Sequence, residues 1–461
     1  MVPVVSNGSG VKRQISLLTA TSIVVANMIG AGIFTTTGMI ASGLPGKIWV
    51  LYSWIFGGAI ALSGALCYAE LATRMPEEGG EFVYLKRLYH PVLGFLTGWT
   101  SFFVGFSAPI AGSALAFSEY FLSGIHSGSG GGDMLTTGLL AKGLAIAIIL
   151  VFTWIHYMGV KIGSIFQNSL TILKVVIILG LALLGIWLGR GNAPGILPLE
   201  FEHTEEIAFG TAMMLVMFSY SGWNASAYIA GEIKNPRRNL PVSLVLGTTL
   251  VIVIYICLNL FIFYAMPYEE IRNNVTIVGS AAEKAFGTWT GNLLSMVISI
   301  ALLSSLSAYI IVGPRVYYAM ALDKLFFPFA AKIHPKHSVP GRAILVQGLI
   351  AVVMVIAGTL EQLLIYIEFA IGLFPILAVA GIFIARHREI GNDTAVKVWG
   401  YPFVPLFFIL CSIGIMIVAF MNRPFESTVA LATILFGIPL YFILNKINIS
   451  IRKKKSAGTT G

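Results

Sequence analysis

The chain has 461 residues, of which 57% are hydrophobic and only 11% charged, where soluble domains carry about 25% charged residues. That balance excludes a soluble enzyme and describes an integral membrane protein with no soluble domain left over. The net charge of +9 does not point to nucleic acid, because the basic residues are not gathered on an aromatic-laced soluble surface.

After a tail at 1–15, apolar stretches long enough to cross about 30 Å of hydrocarbon recur along the chain. About twelve are expected, near 16–43, 47–74, 91–122, 138–160, 164–189, 207–232, 241–266, 290–318, 342–360, 362–386, 402–421 and 425–445. The first is longer than a signal-peptide core and has no plausible cleavage site behind it, so it is expected to stay in the membrane. With the N-terminus in the cytoplasm, Arg74, Lys86, Arg87, Lys161, Lys234, Arg237, Arg238, Lys324 and the tail Arg452–Lys455 fall inside. Lys47, Lys142, Arg190, Arg272, Lys284 and Arg423 remain outside. The positive-inside rule then gives an even number of spans and both termini cytoplasmic.

The first segment reads VVANMIGAGIFTTTG at 24–38, with Gly30-Ala31-Gly32 inside an apolar run. Small residues there let a neighbouring helix pack closely. They also weaken the helix, and broken backbone in hydrocarbon is tolerated only around protein or a wet cavity. The sixth segment has a matching weak point, FSYSGWNAS, where Ser219, Ser221, Gly222, Asn224 and Ser226 crowd an apolar stretch and loosen it through side-chain bonds to backbone. The two weak points lie five segments apart, an odd number, so a second five-helix unit enters the membrane from the opposite face. The repeats are expected at 16–190 and 205–388, followed by two more spans at 401–446 and a basic cytoplasmic tail at 447–461.

A half-helix starting after the first break presents free N–H groups and a positive dipole end to an anion, while freed carbonyls accept from an ammonium. An α-amino acid backbone carries both charges. Neither weak point has an Asp or Glu for a metal ion, and no P-loop, zincin pair or nucleophile elbow occurs. Cys67, Cys257 and Cys411 all lie in apolar segments, which leaves no disulfide framework or C-x-x-C site. Neither enzyme activity nor a cofactor is expected.

IGAGIF at 29–34, PEEGGEFVYL at 76–85, FSYSGWN at 218–224, GEIKNPRRNLP at 231–241 and RVYYAMALDKLFFPF at 315–329 together resemble the amino acid–polyamine–organocation superfamily, and within it the L-amino acid transporter branch with its bacterial neutral amino acid exchangers. The resemblance implies an all-α LeuT-type 5+5 inverted repeat with broken helices 1 and 6, and amino acid transport by alternating access. It implies a carboxylate cradle of backbone N–H groups at Ala31 and Gly32, beside Gly30, and ammonium acceptors at the carbonyls of Met28, Phe218 and Ser221, beside Gly222. Phe218 matches an aromatic that closes over the substrate from outside, although a membrane Phe is usually packing. Asn224 and Tyr255 match polar positions near the substrate.

Lys174 lies about ten residues from the cytoplasmic end of segment five, roughly 15 Å deep. A charge at that depth is costly and marks function or a bond to neighbouring carbonyls. The resemblance implies a lysine standing where sodium-coupled relatives hold Na⁺. Its expected partners are carbonyls from Asn27 to Gly30 and the hydroxyls of Ser304, Ser305 and Ser307. Glu368 is a second intramembrane charge, a proton carrier or a buried hydrogen-bonded carboxyl. Glu232, followed by Lys234, Arg237 and Arg238, reads as a cytoplasmic gate or as a helix-end ion pair of little energy.

The side chains expected around the breaks, Thr21, Phe34, Ser219, Tyr220, Trp223, Asn224 and Ala225, carry no charge, which favours small neutral L-amino acids of the Ala, Ser or Cys kind. Apolar pockets discriminate weakly by size, so sequence does not choose among them. The loop 123–137 has no cysteine, so the disulfide-linked heavy subunit of eukaryotic relatives is not expected. The sequence thus predicts a Na⁺-independent exchanger in a cell membrane. A proton-coupled symporter is the alternative, and a channel or sensor fits less well because no continuous polar stripe or signalling domain is evident.

Overall fold

The computed structural model describes residues 13–126, 134–188, 206–272, 274, 276–335, 339–357, 360–393, 395–422 and 424–457. Most of the tail at 1–15, the Gly/Ser-rich loop at 127–133 and the linker around Arg190 lie outside the described residues, as does the side chain of Glu368.

The helices are α1 (Leu17–Met28), α2 (Ala31–Gly43), α3 (Lys47–Arg74), α4 (Glu81–Leu88), α5 (Pro91–Thr100), α6 (Ser107–His126), α7 (Met134–Tyr157), α8 (Val160–Leu188) and α9 (Glu206–Tyr220). They continue as α10 (Ala225–Tyr228), α11 (Pro236–Ala265), α12 (Tyr268–Ile271), α13 (Ile277–Phe286), α14 (Thr288–Leu322), α15 (Gly341–Ala357), α16 (Leu360–His387), α17 (Phe403–Asn422) and α18 (Pro424–Ala457). This is an all-α fold that crosses the membrane many times.

Among the described residues, nine helical stretches are long and apolar enough to span a bilayer, where about twelve segments were expected. The remaining three have identifiable reasons. The apolar part of α8 is described over Asn168–Leu181 only, α15 has 17 residues, and the sixth segment stops being helical at Ser221. The third segment is also irregular: α5 and α6 are joined by a π-helical turn at Ser101–Gly105, a local widening frequent at functional sites. The last helix runs on through the basic tail as far as Ala457.

Packing centres on α1, which lies along α11 and touches α8, α10 and α14, and on α2, which lies along α9. These inner helices are buried on nearly all sides, whereas α17 and α18 expose Leu410, Met421, Phe425 and Phe436, as expected of helices facing lipid. Close approach needs small residues. A Cβ on Gly247 of α11 would stand 2.8 Å from Val24 of α1. At the opposite end, Lys47 is buried and donates to the Phe263 carbonyl at 2.6 Å, capping the last turn of α11 as basic side chains do.

Candidate functional site

Helix α1 stops at Met28, and α2 starts at Ala31 with Gly30 as an N-cap that has no side chain to offer. The first N–H groups of α2 are therefore without partners inside their own helix. A small cavity adjoins them, lined in part by Gly30, Ala31, Gly32, Phe218, Ser219 and Tyr309. The second irregularity faces the first. After Tyr220 the chain turns through Ser221–Asn224 before α10, and Gly222 sits at φ +101°, where a Cβ would stand 2.8 Å from the Asn27 backbone. Only glycine occupies that left-handed conformation without strain. Gly32 is equally constrained by space, because a Cβ there would stand 2.8 Å from the Ser219 backbone. The two segments are also joined by a 2.9 Å hydrogen bond between Thr36 and Ser219 hydroxyls.

The carbonyls freed at the end of α1 each meet a side chain from another helix. Tyr309 of α14 donates to the Asn27 oxygen at 2.7 Å. The Tyr255 hydroxyl of α11 lies 2.6 Å from the Met28 oxygen and 2.8 Å from the Ser219 oxygen, so its single proton is shared between the two interrupted segments. Lys174 of α8, fully buried, donates to the Ile29 oxygen at 2.6 Å and to Ser305 Oγ at 2.7 Å. Ser305 in turn donates to the same Ile29 oxygen. The ammonium thus meets one carbonyl and one hydroxyl, with no carboxylate partner recorded.

A second cavity lies on the side of Ser221, Gly222 and Asn224, bounded also by Asn27, Glu81, Tyr228 and Tyr309. The cavities hold about 20 and 40 Å³, room for ordered water. The end of the site beside Ile15, Gly79 and Glu232 is shut by several contacts. The backbone N–H groups of Gln14 and Ile15 donate to the Glu232 carbonyl, and Lys234 N–H donates to Ile15. Gly79 N–H donates to Tyr228 at 2.9 Å, and the Arg315 guanidinium holds Glu232 at 2.9 Å.

An amino acid permease family model matches residues 15–443. The chain belongs to that family. The permease is therefore a secondary amino acid transporter of the amino acid–polyamine–organocation superfamily, not an enzyme, and among its described residues no group of His, Cys, Asp or Glu is arranged to hold a metal ion. It is 30% identical to the serine/threonine exchanger SteT of Bacillus subtilis, with 95% of this chain and 98% of the relative covered. The b(0,+)-type amino acid transporter 1 of Mus musculus is 28% identical, covering 94% of this chain and 88% of the relative. The Asc-type amino acid transporter 1 of Homo sapiens is 25% identical over 96% of this chain and 84% of its own length.

The permease brings Met28, Gly30, Ala31, Gly32, Phe218, Ser221, Gly222, Asn224 and Tyr255 into one region around the two interruptions. Thr21, Phe34 and Tyr220 stand apart from the cavities. The Tyr220 hydroxyl is spent on the Trp54 carbonyl, and Phe34 is completely buried against Tyr120. The serines of α14 divide. Only Ser305 joins Lys174. Ser307 hydrogen-bonds His156 at 2.8 Å, and the buried hydroxyl of Ser304 has no hydrogen-bond partner, because successive residues on a helix point about 100° apart. Glu232 pairs with Arg315 on α14 and not with its sequence neighbours Lys234, Arg237 and Arg238. The pair is buried, so the low energy of exposed pairs does not describe it. Sequence reasoning missed Tyr309, four residues after Ser305 and hence on the same helical face, and it missed Glu81.

Proposed function

We propose that the permease exchanges small neutral L-amino acids, of the alanine, serine and cysteine kind, across a cell membrane by alternating access and independently of Na⁺. The scaffold for this is the twelve-helix LeuT-type 5+5 inverted repeat, with both termini in the cytoplasm. The observation that carries the reading is Lys174, whose ammonium bonds the Ile29 carbonyl at the end of α1 and Ser305. A fixed cation at the carbonyl end of an interrupted helix supplies the charge that a coupling Na⁺ would otherwise supply.

In this reading the substrate carboxylate lies against the N–H groups of Ala31 and Gly32, where the start of α2 favours negative charge. Its ammonium meets the carbonyls of Met28, Phe218 and Ser221; the Met28 oxygen already accepts from the Gly30 N–H and the Tyr255 hydroxyl, so there the ligand takes the place of one of these donors. Gly30 opens the cradle as the N-cap of α2, Gly222 lets the second break lie against the Asn27 backbone, Asn224 and Tyr255 complete the polar wall, and the Phe218 ring closes the outer side. Ser305 couples Lys174 to this movement, with Ser304 and Ser307 on neighbouring faces of α14. Apart from Glu81, whose carboxyl is held by Tyr68, Thr97 and Asn224, the side chains lining the cavities carry no charge, which favours a neutral substrate, and the 30% identity to a serine/threonine exchanger agrees with a small one.

Uptake of labelled alanine and serine into proteoliposomes tests the mode. Exchange predicts uptake that requires internal amino acid and is unchanged by Na⁺ or a pH gradient. Accumulation into empty vesicles under an inward proton gradient would replace exchange with proton symport.

A further inference from the structure

Glu81 opens α4 on the cytoplasmic side, yet it is 3% exposed and reaches the cavity beside Ser221 and Gly222. Its carboxyl is surrounded by donors from three other elements. Tyr68 of α3 donates to Oε1 at 2.6 Å, Asn224 Nδ2 donates to the same oxygen at 2.8 Å, and Thr97 of α5 donates to Oε2 at 3.2 Å. The second proton of the Asn224 amide goes to Tyr228 Oη at 3.2 Å.

This arrangement fixes which end of the Asn224 amide faces the ligand. An amide has two donors on nitrogen and an acceptor oxygen, and it can turn over when its surroundings permit. Here Oε1 receives the Tyr68 proton and the amide N–H together, so it acts only as an acceptor and must meet the NH₂ end. Burial raises the Glu81 pKa, but a proton carried on Oε2 has the Thr97 oxygen to accept it and leaves Oε1 as it was. With both amide protons held by Glu81 and Tyr228, Asn224 offers the cavity Oδ1 alone.

We propose that Glu81 is a positioning residue for substrate selection: it locks the Asn224 amide with its oxygen toward the substrate, so that the site prefers side chains that donate a hydrogen bond, serine over alanine. The proposal rests on Asn224 belonging to the substrate site. A substrate hydroxyl donates to Oδ1, whereas an alanine methyl leaves that oxygen unpaired in a dry site, which is how a polar wall rejects an apolar analogue.

The readout is the ratio of KM for alanine to KM for serine in proteoliposomes, a quantity that does not depend on how much protein has folded. Wild type is expected to favour serine by roughly threefold to tenfold, the effect of one hydrogen bond. Glu81→Asp keeps the charge but withdraws it from Asn224, and the ratio falls towards one. Glu81→Gln loses the charge but keeps an acceptor oxygen for Tyr68 and Asn224, and the ratio stays near wild type. In an Asn224→Ala background the ratio has already collapsed, and Glu81→Asp changes it no further. Tyr228→Phe releases the second amide proton and lowers the ratio in smaller measure, which supplies the test if the aspartate variant does not fold. An unchanged ratio in Glu81→Asp, beside a collapsed one in Asn224→Ala, would overturn the proposal alone. Wild-type KM values in Asn224→Ala would remove Asn224 from the site and the proposal with it.

Discussion

The Lys174 ammonium and the Ile29 carbonyl, 145 residues apart in sequence, meet at 2.6 Å. This bond fastens the end of α1 to α8, so the backbone proposed to hold substrate is anchored by a charge that never touches it. Lys174→Ala leaves the Ile29 oxygen with Ser305 alone. A charge-assisted hydrogen bond contributes about 1.5–3 kcal/mol, so exchange is expected to fall by more than about tenfold. Transport matching wild type in both rate and affinity would remove the lysine from the mechanism.

Gly30 and Gly32 are expected to behave differently although they are two residues apart. A Cβ on Gly30 meets only the Tyr309 hydroxyl at 3.5 Å, whereas one on Gly32 runs into Ser219 at 2.6 Å. Gly30→Ala should bind substrate nearly as wild type, and Gly32→Val should weaken affinity by at least about tenfold, since overpacking costs about 1–3 kcal/mol. Substrate-dependent thermal stabilisation measures both. Unaltered affinity in Gly32→Val would return the stretch to a packing role.

Tyr255→Phe deletes one hydroxyl, leaving the Met28 oxygen with the Gly30 N–H alone and the Ser219 oxygen facing an apolar ring edge. Buried acceptors left without a partner cost about 1–3 kcal/mol. An increase in KM of roughly fivefold or more, with the protein folded by size-exclusion profile, is expected. A KM within twofold of wild type would show that the shared proton is dispensable.

The closure beside Glu232, on the side proposed to face the cytoplasm, contains two neighbouring carboxyls, Glu232 and Glu78, and one guanidinium, Arg315. Removing Arg315 strands Glu232 in a buried place, a change that costs about 3–5 kcal/mol and falls on the closed state alone. Arg315→Ala is therefore expected to open the inner side, seen as faster labelling of a cysteine placed at Ser226 from the cytoplasmic face. Labelling as slow as in the same cysteine variant with Arg315 intact would contradict this.

Glu78 adds a pH dependence to the same closure. Burial holds its carboxyl above the ordinary 4.5, and the charges of Glu232 and Glu77 push the same way while Arg315 opposes them. Its Oε1 has no hydrogen-bond partner. The closed state thus favours the protonated form. The resulting stabilisation is complete below pH 4.5 and is lost as pH rises through the higher closed-state value. Acidification should slow labelling of the same inner cysteine by more than it slows a free thiol, and Glu78→Gln should leave only the pH dependence of a free thiol. A pH response unchanged in Glu78→Gln would assign it elsewhere.

Much of this organisation was legible in the sequence, because a membrane makes irregularity conspicuous. Glycine, serine and asparagine inside apolar runs flagged the places where α1 and α9 end, and a lysine among leucines and isoleucines flagged Lys174. The Ile29 carbonyl fell inside the short range where its partner was sought. Glu81 was not legible. In PEEGGEF it looks like a loop glutamate, and its burial depends on Tyr68, Thr97 and Asn224 arriving from three separate elements. The partner of Glu232 was not legible for a related reason: three basic residues stand within six positions of it, yet Arg315, 83 residues away, is the one the fold delivers. The π-helical turn at Ser101–Gly105 left no mark in a run that alternates aromatic and small residues.

The segment around Ile15 joins the closure through peptide groups, accepting from Lys234 N–H and donating to the Glu232 carbonyl. Such pairing does not itself read side-chain identity, although the Ile15 side chain is buried in the core. The pairing is sensitive to spacing and to the loss of a single N–H. Ile15→Pro, or one residue inserted between Ile15 and α1, would break the latch at the peptide groups that make it.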